Sequence, residues 1–116
     1  MTVFVVDDEA LIADTLAVIL QGGGVAVRAF HNGQDALKAA AKELPDFLIS
    51  DVVMPKMNGY ELAAELMRRV PACQVLLMSG NAAVLQDSPR MDFEVLQKPV
   101  SPKTLIQRVR AAQNKC

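Results

Sequence analysis

Along this chain, short apolar runs alternate with longer stretches in which apolar residues recur every three or four positions. The runs lie at residues 3–6, 25–30, 47–52, 75–79 and 93–96 and are rich in β-branched side chains. They predict five strands. The longer stretches, 10–21, 34–43, 60–69 and 102–114, predict helices with an apolar stripe. Turn formers separate the two kinds: Gly22-Gly23-Gly24, Asn32-Gly33, Pro45-Asp46 and Pro71. Ser101-Pro102 is a good helix start, with serine as N-cap and proline at the first helical position. The middle runs are apolar on both faces, as expected when helices cover both sides of a parallel sheet. Repeated strand–helix alternation predicts an α/β fold, a doubly wound five-stranded parallel sheet.

The helix expected at 10–21 is apolar nearly all round, with only Asp14 and Thr15 polar before Gln21. Ile12, Leu16, Ile19 and Leu20 form the expected core stripe. Leu11 and Val18 lie on another side, which should meet solvent, and are read as a docking face for a partner. The triple glycine follows this helix, so it reads as a helix end rather than a phosphate loop. The methionines at 54, 57, 67, 78 and 91 read mostly as packing residues, and His31, the single histidine, as a surface loop residue.

Chemistry is expected beyond the carboxyl ends of the strands, near the point where strand order reverses. The first run ends in VFVVDDE (3–9), placing Asp7 and Asp8 at the rim of an apolar interior. Two like charges roughly 4 Å apart cost about 4 kcal/mol at an effective dielectric near 20, so something positive must come to that spot. The third run ends near Asp51, the fourth in Ser79, and the fifth just before Lys98-Pro99. Paired carboxylates suit a hard divalent cation such as Mg²⁺, and a lone carboxylate such as Asp51 can act as a nucleophile toward phosphorus. The cation, Lys98 and the Ser79 hydroxyl would then neutralise the phosphoryl oxygens. If Asp7 or Asp8 merely capped the next helix, one acid would be explained but not the other, nor Asp51 and Lys98 at the same edge.

Composition adds exclusions. A chain of 116 residues is one domain. Twelve basic against thirteen acidic residues give a net charge of −1, which argues against a dedicated nucleic-acid or membrane-surface binder. No apolar run spans a bilayer and no secretion signal is visible. Cys73 and Cys116 are not in metal-ligand spacing. They read as reduced thiols in a cytoplasmic protein.

The motifs VVDDE, LISDVVMPKMNGYEL, LLMSG and LQKP, in that order over nearly the whole chain, resemble those of response regulator receiver domains in two-component systems. The resemblance implies a (βα)5 flavodoxin-like receiver fold. It implies that Asp51 accepts phosphate from a sensor histidine kinase or a histidine phosphotransfer protein. Mg²⁺, or Mn²⁺ in its place, would be bound by Asp8, Asp51 and the Val53 backbone carbonyl, with Asp7 acting through water. Ser79 and Lys98 would hold the phosphoryl group, and the Lys98–Pro99 peptide would be cis. Such a domain catalyses its own phosphorylation and dephosphorylation and is not a conventional enzyme. Two departures stand out. Val95 replaces the aromatic residue often found three positions before the lysine. The segment between Ser79 and Lys98 is short, so the fourth helix is expected to be short or irregular, and switching to involve residues 80–92.

Two other classes compete. A haloacid-dehalogenase-type phosphatase needs an acid two residues after the nucleophile, where this chain has Val53. A pseudo-receiver, an interaction module that takes no phosphate, would be favoured by loss of Asp51, Asp8 or Lys98, and all are present. Residues 1–116 read as one receiver domain without an effector domain, either a stand-alone regulator acting on an unknown output partner or a receiver excised from a larger protein.

Overall fold

The computed structural model describes residues 1–22, 24–80 and 93–114. Five strands, β1 (Thr2–Val6), β2 (Ala26–Phe30), β3 (Phe47–Asp51), β4 (Gln74–Ser79) and β5 (Glu94–Gln97), form one sheet in the order β2-β1-β3-β4-β5. Every neighbouring pair is parallel. Four helices accompany it: α1 (Ala10–Leu20), α2 (Gly33–Ala40), α3 (Gly59–Arg69) and α4 (Pro102–Asn114). The short helix expected between β4 and β5 lies outside the described residues.

Strand alternation divides the core into two layers. Val3, Val5, Ile49, Leu76 and Met78 pack with Ala13, Leu16 and Leu20 of α1 and Leu105 and Val109 of α4. Phe4, Val6, Leu48 and Leu77 pack with Ala36 and Ala40 of α2 and Leu62, Ala63 and Leu66 of α3. The central strand β3 is buried along its whole length, which explains its continuous apolar run.

Three expectations need correction. In α1 the buried residues are Ala13, Leu16 and Leu20, while Ile12 only borders the core and Ile19 is 37% exposed. The small Ala13, one turn before Leu16, faces the sheet where the longer Ile12 was expected. Helix α2 ends at Ala40 rather than 43, where the Ala41 N–H is shared between the Leu37 and Lys38 carbonyls and the Ala39 carbonyl accepts from both the Lys42 and Glu43 N–H groups, a mixed last turn ahead of Pro45. Helices α2 and α3 each begin one residue earlier than expected. The Asn32 side chain caps α2 by accepting from the Asp35 N–H at 2.8 Å. Asn58 and Glu61 form a reciprocal capping box on α3, at 2.9 and 3.0 Å.

Several readings of single residues hold. Leu11 and Val18 are 79% and 78% exposed. Met54 and Met78 are buried and Met57 borders the core, whereas Met91 lies outside the described residues. His31 is a surface residue whose Nε2 meets Asp14 Oδ1 at 3.0 Å. Cys73 is buried, which, with the nearby Asp46, pushes its thiol up to about 11 and makes it a packing residue. No helix among the described residues is long and apolar enough to cross a membrane.

Candidate phosphoacceptor and metal site

Strand order reverses between β1 and β3, which lie side by side at the sheet's centre while their chain neighbours diverge. Asp7 directly follows β1, Asp51 is the last residue of β3, Ser79 the last of β4, and Lys98 directly follows β5. Parallel register therefore delivers all four to one edge, with Asp8 beside them.

Asp7, Asp8 and Asp51 can each place a carboxylate oxygen within 4.8 Å of the other two. Asp7 is completely buried. Its Oδ1 accepts the Glu9 N–H at 2.9 Å and its Oδ2 accepts from Lys98 Nζ at 2.8 Å. Lys98 Nζ also stands 3.2 Å from Asp51 Oδ2. Glu9, not an aspartate, occupies the N-cap of α1, and its side chain makes no capping bond. Asp7 thus holds the turn and the lysine, and Asp8 is left exposed at the mouth.

Three carboxylates around a single ammonium leave the cluster negative. Burial pushes the Asp51 carboxyl above its ordinary range; Lys98 pulls it down, and the charges of Asp7 and Asp8 push it up again. Burial lowers the Lys98 ammonium, but the carboxylates of Asp7 and Asp51 outweigh that and leave it above its usual value. Lys98 is therefore a standing cation beside Asp7 and Asp51.

The β3–α3 loop wraps the mouth. The Val52 N–H donates to the Met78 carbonyl and the Gly59 N–H to the Val52 carbonyl, both at 2.8 Å. A Cβ on Gly59 would sit 2.4 Å from the Asp51 carbonyl oxygen, so only glycine lets α3 start this close to the Asp51 backbone. Val53 is 58% exposed just past Asp51. Lys98 is tied to β4 by its N–H, which bonds the Ser79 carbonyl at 2.8 Å, and its peptide to Pro99 is cis. Val95 pairs with Leu77 and packs half-buried on the α2–α3 side. Sequence reasoning missed the left-handed backbone of Lys56, φ 68°, whose trace was the non-glycine residue inside a Pro-x-Met turn.

A doubly wound parallel sheet with an acid cluster and a lysine at its switch point defines a class of protein, and similarity narrows it. Residues 3–110 match the response regulator receiver domain family, and the chain belongs to it. It is thus a receiver domain of a two-component response regulator, a signalling domain and not a conventional enzyme. The transcriptional regulatory protein CreB of Escherichia coli is 37% identical over 112 residues, covering 94% of this chain and 49% of CreB. The E. coli DNA-binding transcriptional regulator NtrC is 35% identical over 100 residues, 84% of this chain and 21% of NtrC. The chain therefore spans about half of one relative and a fifth of the other. The response regulator TrrA of Thermotoga maritima, solved in complex with Mg²⁺ and beryllofluoride, superposes with a TM-score of 0.82 at 27% identity, over 96% of this chain and 97% of that one.

Proposed function

We propose that this domain is a phosphorelay switch that accepts one phosphoryl group on Asp51 from the phosphohistidine of a sensor histidine kinase or phosphotransfer protein. The observation that carries this reading is the placement of Asp51 at the switch point, between the carboxylates of Asp7 and Asp8 and Lys98 Nζ at 3.2 Å. An Asp51 oxygen attacks phosphorus, the P–N bond to the donor imidazole breaks, and its electron pair returns to the ring nitrogen, which is then protonated. Lys98 supplies a fixed charge to one phosphoryl oxygen, and the Ser79 hydroxyl, one strand over, donates to another.

The donor set fits Mg²⁺, or Mn²⁺: hard oxygen ligands, excess negative charge, and an exposed carboxylate at an open mouth. Asp8, Asp51 and the Val53 carbonyl would hold it, with Asp7 acting through water. When bound, the ion supplies charge to neutralise the transferring phosphoryl group. The exposed α1 face with Leu11 and Val18 docks a protein partner, and the output is delivered by conformational change to a partner outside this chain.

Intact-mass spectrometry after incubation with acetyl phosphate tests the reading. One phosphoryl addition is expected with Mg²⁺ or Mn²⁺, none in EDTA, and none in Asp51→Asn. Labelling that persists in the Asn variant would refute the assignment, and a wild-type chain that never labels would identify a pseudo-receiver.

A further inference from the structure

The loop that follows Asp51 is braced from outside by the turn between β2 and α2. Gly33, the first residue of α2, lies directly against Met57: a Cβ built at Gly33 would stand 2.8 Å from Met57 Sδ, 3.2 Å from its Cγ and 3.4 Å from its Cβ. Met57 from Cβ to Sδ therefore crowds the space that a side chain at position 33 would need. Just before it, Lys56 holds φ at 68°, a region costly for any residue with a Cβ. The Met57 N–H closes a tight turn onto the Pro55 carbonyl at 2.7 Å. Such backbone persists only where its surroundings hold it; Val52 and Met54 bury the loop's inner end in the α2–α3 core, and Met57 packs against the border of that core beyond Lys56. The same contact borders the acid cluster, because Asp8, Gly33, Pro55, Lys56 and Met57 line one cleft of about 170 Å³.

We propose that Gly33 and Met57 are positioning residues for the metal-binding loop. Gly33 leaves the space, Met57 fills it, and the seated methionine sets where the exposed Val53 stands relative to Asp8 and Asp51, Val52 being held by its own hydrogen bonds to Met78 and Gly59. This inference rests on the reading of the acid cluster as a Mg²⁺ site. A purely structural role predicts something different. Glycine within a helix is less favourable than alanine, so Gly33→Ala would otherwise stabilise α2 and leave metal affinity alone.

The test is the Mg²⁺ Kd by isothermal titration calorimetry, with Tm in EDTA, for the wild-type chain, Gly33→Ala, Met57→Ala and the double variant. Each single change is expected to weaken Mg²⁺ binding by about tenfold, the effect typical of groups that orient metal ligands; Met57→Ala is also expected to lower Tm in EDTA through lost packing, whereas Gly33→Ala leaves it little changed. The double variant is expected to bind better than either single one, because the new methyl group enters the space Met57 vacates. Met57→Leu, close in volume, is expected to bind as the wild type does and serves as the comparison with Met57→Ala should Gly33→Ala fail to fold. A wild-type Kd in Met57→Ala, or a double variant whose loss is the product of the two single losses, would overturn the proposal. A wild-type chain that binds no Mg²⁺ at all would instead overturn the metal reading beneath it.

Discussion

Asp51 is held where its chemistry is useful and its charge is unwelcome. Because burial raises its folded-state pKa above the unfolded value, its stabilising contribution is full below the unfolded pKa and is lost as pH rises through the folded one. At neutral pH the ionised carboxylate is therefore a net cost, and Lys98 keeps Asp7 as a partner at 2.8 Å if Asp51 is neutralised. In EDTA, Asp51→Asn should be more stable at neutral pH by about 1 kcal/mol, roughly 4 °C in Tm. The gain should shrink as pH falls through the raised Asp51 pKa, where the wild-type carboxyl takes up its own proton. Thermal melts by circular dichroism at neutral and acidic pH check this, and a lower Tm for the variant at neutral pH would mean that the Lys98 contact outweighs burial. At this scale the sequence was highly legible. Acids, a lysine and a serine directly after apolar runs stand out by contrast, whereas the Gly33–Met57 contact leaves no such contrast, because both residues also suit an ordinary turn and core.

Among the elements, α1 and α3 begin in opposite ways. Helix α1 has no side-chain cap, since Glu9 stands at its N-cap and makes no capping bond, while Asp7 turns inward toward Lys98. Helix α3 has a full capping box from Asn58 and Glu61, and it starts at the glycine pressed against Asp51. Asn58→Ala should cost about 1 kcal/mol, or roughly 4 °C in Tm, and should raise amide exchange at residues 59–61 while leaving α1 unchanged. Hydrogen exchange followed by mass spectrometry reads both. An unaltered Tm would mean that tertiary contacts alone hold the helix start. The Asn-x-x-Glu signal is present in the sequence, yet α3 starts one residue earlier than the pattern predicts, because glycine is a poor helix former and only its close approach to Asp51 explains it there. The buried stripe of α1 was misjudged because an all-round apolar helix has no polar face to orient it. The sheet chose Ala13 over Ile12.

For the whole molecule, the native state gathers charges that the unfolded chain keeps apart. A cation that binds only the folded form must stabilise it, by about 2.7 kcal/mol at roughly a hundred times Kd, on the order of 10 °C. Mg²⁺ should raise Tm accordingly. Asp8→Ala should abolish that response and, by removing repulsion, melt higher than the wild type in EDTA. Differential scanning fluorimetry with and without Mg²⁺ checks both, and an Asp8→Ala chain melting lower in EDTA would make Asp8 mainly structural. By itself the sequence determined the fold class and the sheet edge where the acids and the lysine gather, because hydrophobic periodicity and strand-end position are local properties of the chain. Only the tertiary structure decided that Lys98 divides itself between Asp7 and Asp51, that Asp7 is buried while Asp8 is exposed, and that Met57 seats on Gly33. Those outcomes depend on packing between residues 24 to 91 positions apart, and distances of that kind are set when the layers close on the sheet.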